Sequence, residues 1–256
     1  MKDILKILQR RRFMKLFASG TAGALTSASV AIGADRSTLM PTNSKAKKVL
    51  MKVGCQSGGT SEENLAFKAR HGVYNMDGGM PKFIPGKGWD LEDSLRKRDA
   101  CEKYGISLDA YHLPLTSAGI DRVVVPNIML GKAPERDREI EMIQQMIQVS
   151  AKTGVKLLNY NTTILPVLRT GRTIDPKRGN ASYSTWNYEE ALKREQPLTV
   201  AGNVDADEIF ERIKYMLDRI VPVAEEYKVQ LGNHIADPPV PDHYKGIMRW
   251  NSPEVF

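Results

Sequence analysis

The residues predict an α/β fold, a (β/α)8 TIM barrel in which about five of the eight βα units are represented. Three observations predict it. Short, nearly continuous apolar runs alternate with longer amphipathic ones, as expected of parallel strands covered by helices. The junctions repeat: His71-Gly72-Val73, Tyr104-Gly105-Ile106 and Thr153-Gly154-Val155, with Tyr227-Lys228-Val229 as a fourth. Gly just past a helix takes the left-handed cap freely, and the β-branched residue then opens a strand. Finally, polar side chains follow the apolar runs, with His112 after the third, Asn161 after the fourth and His234 after the fifth, where barrel active sites lie. A doubly wound sheet meets the first two observations but wants Gly-x-Gly-x-x-Gly after its first strand. Cys55-Gln56-Ser57-Gly58-Gly59-Thr60 is only loosely of that kind.

Taken in order, strands are expected at residues 49–54, 73–76, 106–111, 155–160 and 229–233. Helices are expected at 61–70 and 90–103 from composition and bounding Gly, and at 135–153 and 205–227 from apolar stripes. Ile140, Ile143, Ile147 and Ala151 share one face of the third helix; Ile209, Ile213, Met216, Leu217, Ile220 and Ala224 share one face of the fourth. Asp205 with Glu208 has the pattern of a capping box. Pro222 lacks a backbone donor and should kink or break the last helix. Residues 162–205 form one long connection, in which Tyr183, Trp186 and Tyr188 are interleaved with Gly, Ser and Asn. That suits a lid or an oligomer contact, or a helical excursion with a short helix at 188–194.

The chain opens differently. Gln9-Arg10-Arg11-Arg12-Phe13-Met14-Lys15 precedes a mildly apolar stretch, 16–32, and the small residues Gly33 and Ala34. Charged, apolar, then small is the order of a signal peptide, and Arg10-Arg11-x-Phe13-x-Lys15 resembles the twin-arginine export motif. The apolar stretch is short and diluted with Gly and Ser, so a membrane span is not expected. Residues 1–34 thus read as an export signal, 35–48 as a Ser/Thr/Lys-rich linker and 49–256 as the barrel domain, with a periplasmic or exported location. The signal accounts for most of the formal charge of +7: it holds six basic side chains and one acid, leaving 31 basic against 29 acidic. A near-neutral remainder excludes nucleic acid as a partner and confines membrane contact to the signal. Cys55 and Cys101, with no Cys-x-x-Cys, exclude a disulfide framework and leave two buried thiols or a single bridge.

The sharpest local pattern is Leu231-Gly232-Asn233-His234-Ile235-Ala236-Asp237-Pro238-Pro239, followed by Gly246-Ile247-Met248-Arg249-Trp250. A His at the end of a buried strand, before a Pro-stiffened loop, can present a neutral imidazole to a metal. It can equally be satisfied by the loop's own backbone. Here the motif resembles the mannonate dehydratases: His234-x-x-Asp237-Pro238-Pro239 with Gly246-x-x-Arg249 is similar to their His-Pro-Asp-Asp-Pro-Pro and Gly-x-x-Arg. Leu130-Gly131-x-x-x-Glu135-Arg136-Asp137, Tyr160-Asn161, Pro166-Val167 and Arg172-Thr173 match further segments of that family in register.

The resemblance implies a xylose-isomerase-like barrel that removes water from D-mannonate to give 2-keto-3-deoxy-D-gluconate. It implies Mn²⁺ or another divalent cation, with His234 as a metal ligand and the other ligands on later strands. Removing the α-proton of a sugar acid is eased when the carboxylate is neutralised by a cation or held by an arginine, for which Arg172 and Arg249 are candidates. Asn161 and Asp237 are candidate substrate contacts, and Tyr160 and His112 candidates for proton transfer. Two departures stand near this site: Arg169-Thr170 replaces the family's Asp-Trp, and Tyr111-His112-Leu113-Pro114 replaces its Glu-Ser-Val-Pro. The rival functions are a sugar isomerase or epimerase on the same barrel and a non-catalytic carbohydrate-binding partial barrel. A homo-oligomer is left open. Ser252-Pro253 reads as the start of another helix, so a C-terminally truncated barrel is expected.

Overall fold

The computed structural model describes residues 52–248 except 53, 57, 58, 195, 196, 239 and 242. The export signal, the linker, Arg249 and the Ser252-Pro253 helix start lie outside the described residues. Within them, β1 (Gly54–Cys55) is followed by α1 (Glu62–Arg70), β2 (Asn75–Asp77), the short pair β3 (Phe83–Ile84) and β4 (Gly88–Trp89), α2 (Leu91–Lys103) and β5 (Ser107–His112). Then come α3 (Asn127–Leu130), α4 (Glu135–Lys152), β6 (Leu157–Asn161), β7 (Gly171–Asp175), β8 (Ala181–Thr185), α5 (Tyr188–Leu192), α6 (Ala206–Tyr227) and β9 (Gln230–His234).

Strands β1, β2, β5, β6 and β9 form one five-stranded sheet in that order, every pairing parallel. The order never reverses. A doubly wound sheet reverses at its switch point, whereas a barrel adds each new strand on the same side, so the topology is that of successive barrel units. All five expected strands are represented, four displaced by one or two residues and the first seen from Gly54, its residues 49–51 and 53 lying outside the described residues.

Local chemistry explains the helices. Ser61 accepts from the Asn64 amide, Asp90 from those of Glu92 and Asp93, and Asp205 with Glu208 closes the expected capping box. Ile140, Ile143 and Ile147 of α4 and Ile209, Ile213, Met216, Ile220 and Ala224 of α6 are buried as the stripes require, while Ala151 and Leu217 are only partly covered. Gly72, Gly105 and Gly154 stand past their helices at φ of +74°, +68° and +79°, and Lys228 takes the same left-handed position at +56°. Pro222 does not break α6. It is exposed, as is Asp218 one turn back, so the carbonyl that loses its partner faces water.

Residues 162–205 are neither a structureless loop nor a mainly helical excursion. β7 and β8 pair as an antiparallel hairpin, turned by a 3-10 segment, Pro176–Arg178, whose Lys177 amide is capped by Asp175, and by Gly179 and Asn180 at φ of +63° and +62°. Among the described residues of 162–205 the one α-helix is α5, which ends at Leu192. Trp186 and Tyr188 pack edge-on against Tyr244, with ring centroids 5.7 and 6.0 Å apart, tying the base of the hairpin to the loop after β9. A buried polar contact joins α2, β5 and the end of α4. Ser94 Oγ lies 2.9 Å from the Tyr111 hydroxyl and donates to Thr153 Oγ1, and burial pushes the Tyr111 phenol up to about 12. No disulfide joins the two cysteines: Cys101 is buried beside Met76, where desolvation raises its thiol to about 11, and Cys55 lies in the sheet on β1.

Candidate active site

Two adjoining clefts lie on the inner face of the parallel sheet, the second at the carboxyl ends of its strands. The floor cleft, about 460 Å³, is lined by Cys55, Asn75, Asp77, Asp109, Asn159 and Gly232 among others. The mouth cleft, about 320 Å³, is lined by Gln56, His112, Asn161, Arg169, His234 and Asp237, with the hydroxyls of Thr116 and Ser117. Four residues expected from the sequence, His112, Asn161, His234 and Asp237, therefore share one wall.

The strands explain who faces inward. In β6 the period of two sends Leu157, Asn159 and Asn161 to the clefts and Leu158 and Tyr160 to the helices. Tyr160 is thus placed in the hydrophobic core, where desolvation raises its phenol pKa, and not on the cleft wall. β5 obeys the period only up to a bulge: Met76 pairs with Leu108, but Asp77 pairs with Ala110, leaving Asp109 as the extra residue. That shift turns His112 inward. Its register partner is Asn159, and its Nε2 lies 2.6 Å from Asp77 Oδ2. A carboxylate only accepts, so Nε2 carries the proton toward Asp77, while the Gln56 amide nitrogen lies 3.0 Å from the same Nε2. Asp77 is held in turn by the Gly79 amide on Oδ1 and by Asn159 Nδ2 at 3.5 Å from Oδ2. The bond to Asp77 raises the His112 pKa above its ordinary value, against desolvation, which lowers it.

His234 ends β9 opposite Asn161, whose amide donates to the His234 carbonyl at 3.3 Å. His234 Nδ1 lies 2.8 Å from the Ile235 carbonyl. A carbonyl only accepts, so Nδ1 holds the proton of this bond and Nε2 is the ring nitrogen left for another partner. The backbone thus engages one ring nitrogen, as the second of the two sequence readings expects. Among the described residues, however, no group of three or more His, Cys, Asp or Glu side chains is arranged to hold a metal ion. His234 supplies one nitrogen donor, and the described residues do not by themselves fit a Mn²⁺ site, which calls for about six mainly oxygen ligands.

Arg172 lies elsewhere, on the exposed hairpin strand β7, where its Nε donates to Ser182 Oγ at 2.9 Å. The cleft instead holds Arg169, which donates from Nη1 to the Leu168 carbonyl at 2.7 Å and pairs through Nη2 with Asp237 at 3.4 Å. Asp77 and Arg169 line the clefts without being singled out by the sequence. The strand-end rule that points to His112 points equally to Asp77, and Arg169 stands where the chain departs from a family motif.

The family model described as D-mannonate dehydratase (UxuA) matches residues 71–196 and 172–252. The mannonate dehydratase of Shouchella clausii (strain KSM-K16) is 28% identical over 196 residues, 66% of this chain and 52% of that protein. That of Thermotoga petrophila is 28% identical over 199 residues, with the same 66% and 52% coverage. The crystal structure of mannonate dehydratase from Streptococcus suis serotype 2 aligns with a TM-score of 0.54 at 21% identity, over 72% of this chain and 52% of that one, and shows the shared barrel fold. The chain spans about half the length of the curated relatives it matches. With one family's model covering residues 71 to 252, the chain belongs to the D-mannonate dehydratase family.

Proposed function

We propose that this cleft takes part in the dehydration of a sugar acid, D-mannonate to 2-keto-3-deoxy-D-gluconate and water. The observation that carries the reading is the His112–Asp77 pair beside Asn161 and His234 at the carboxyl ends of the strands. A neutral imidazole whose Nε2 proton is committed to a carboxylate has Nδ1 as its basic atom, the arrangement of an oriented general base. His112 accepts the C2 proton of the sugar acid, the C3–O bond breaks, and the departing hydroxyl takes up a proton to leave as water. The enol that results becomes the 2-keto group. Asn161 holds the backbone that presents His234, and Asp237 faces the same cleft for a substrate hydroxyl.

A divalent cation, Mn²⁺ in the family resemblance, belongs to this proposal with His234 as one ligand and the remaining donors outside the described residues; bound, it would neutralise charge on the carboxylate. Export through residues 1–34 belongs to the same proposal. The test is incubation of the protein with D-mannonate and Mn²⁺, followed by proton NMR. A new C3 methylene expected from a 3-deoxy product, reduced about 10²–10⁴-fold in rate by His112→Gln, supports the reading. An epimerised or isomerised sugar acid, or full turnover by His112→Gln, overturns it.

A further inference from the structure

Arg169 is the one lysine or arginine on the described wall of the mouth cleft, which it shares with His112, Asn161, His234 and Asp237. Its anchoring is partial. Nη1 is held by the adjacent Leu168 carbonyl at 2.7 Å, and Nη2 touches Asp237 at 3.4 Å, too long for a tight charge-assisted bond. The two side chains are 37% and 51% exposed, so water already competes for the pair, and giving it up costs little. A guanidinium has five donors in a planar fork, of which these two contacts use two. What remains is a fixed positive charge with spare donors, aimed at the cleft that holds the oriented imidazole.

Resting on the reading of this cleft given above, we propose that Arg169 is the receptor for the substrate's carboxylate and sets the specificity of the site for anionic over neutral polyols. Asp237 is its partner in this structure, and an incoming carboxylate exchanges with it. The assignment falls on the position where the chain departs from its family's Asp-Trp, and it replaces Arg172, whose guanidinium is bonded to Ser182 on the hairpin. The fork geometry matters as well as the charge: two parallel N–H bonds to one carboxylate fix its plane and hence the direction of the C2–H bond.

The test is calorimetric titration of the protein, with Mn²⁺ present, against D-mannonate, D-glycerate and the neutral D-mannitol, for the wild type, Arg169→Gln and Arg169→Lys. Arg169→Gln should weaken D-mannonate and D-glycerate by about tenfold or more while leaving D-mannitol within about twofold; Arg169→Lys should fall between. An equal loss for mannitol, or no loss for the acids, overturns the assignment whether or not the enzyme turns over mannonate. Wild-type binding of D-glycerate but not D-mannonate, with the former lost in Arg169→Gln, supports Arg169 and overturns the mannonate reading. Binding of no acid at all overturns both. Unchanged thermal melting of Arg169→Gln, expected for a half-exposed side chain, excludes misfolding as the cause of any loss.

Discussion

Lys228→Gly offers the most direct test of how the repeated units are punctuated. Three helix exits use Gly72, Gly105 and Gly154 at φ between +68° and +79°; the fourth uses Lys228 at φ +56° and ψ +40°, with its amide still bonded to the carbonyls of Ala224 and Glu225. A left-handed residue with a Cβ carries a strain of ~1–2 kcal/mol. Glycine removes that strain but is freer in the unfolded chain, which gives back ~0.5–1 kcal/mol. The side chain of Lys228 is exposed. The net expectation is a gain of about 0.5–1 kcal/mol, or a rise in Tm of roughly 1–4 °C for a domain of this size. Urea unfolding followed by circular dichroism measures it, provided the slope is unchanged. Gly154→Ala is the mirror experiment. A Cβ built there meets nothing within 4 Å, so its expected loss of about 0.5–1 kcal/mol isolates the backbone. A flat or destabilising Lys228→Gly, with a neutral Gly154→Ala, would refute the argument that left-handed exits set these junctions.

Two further variants test where the candidate residues sit. Asp77→Asn should lower the His112 pKa, because the bond that raises it is lost and desolvation is left unopposed; histidine Cε1–H NMR titration, assigned with His112→Gln, reads the shift, and an unchanged midpoint would sink the dyad. Because the folded pKa lies above the unfolded one, the pair's stabilisation is full below the ordinary value of 6.5 and disappears as pH rises through the folded value. Wild type should therefore exceed Asp77→Asn in stability most at mildly acidic pH. Tyr160→Phe, in contrast, should leave turnover within about twofold and stability within about 1 kcal/mol, since the ring sits in the core and loses only a hydroxyl there. A large drop in kcat with intact folding would return Tyr160 to the chemistry.

What the sequence disclosed and what it hid divide along the range of the interactions. The capping box at Asp205, the stripes of α4 and α6 and the left-handed glycines are settled within a few residues, and all were legible. β3 and β4 were not, because two-residue strands carry no period. They are fastened by the Gln145 side chain of α4, which donates to the Trp89 carbonyl and accepts from its amide across 56 positions. The hairpin at β7 and β8 did carry a local signal, Gly179-Asn180 between alternating Thr, Ile, Ser and Tyr, which the length of the connection obscured. Arg169 meets Asp237 across 68 positions, and nothing near either residue announces the other.

The candidate site shows why finding a strand end is not the same as finding a cleft residue. Tyr160 and Asn161 are neighbours at the end of one strand, equally attractive by position, yet parity puts one in the core and the other on the wall. Parity can be counted from a sequence once one inward residue is known. It fails at β5, where counting inward from Ser107 through Asp109 would turn Tyr111 to the cleft and His112 to the helices. The extra residue at Asp109 reverses that assignment, burying Tyr111 against Ser94 and Thr153 and placing His112 within 2.6 Å of Asp77. The bulge is therefore what brings this histidine to its carboxylate, and deleting Asp109 should return the strand to regular pairing and turn His112 away from Asp77.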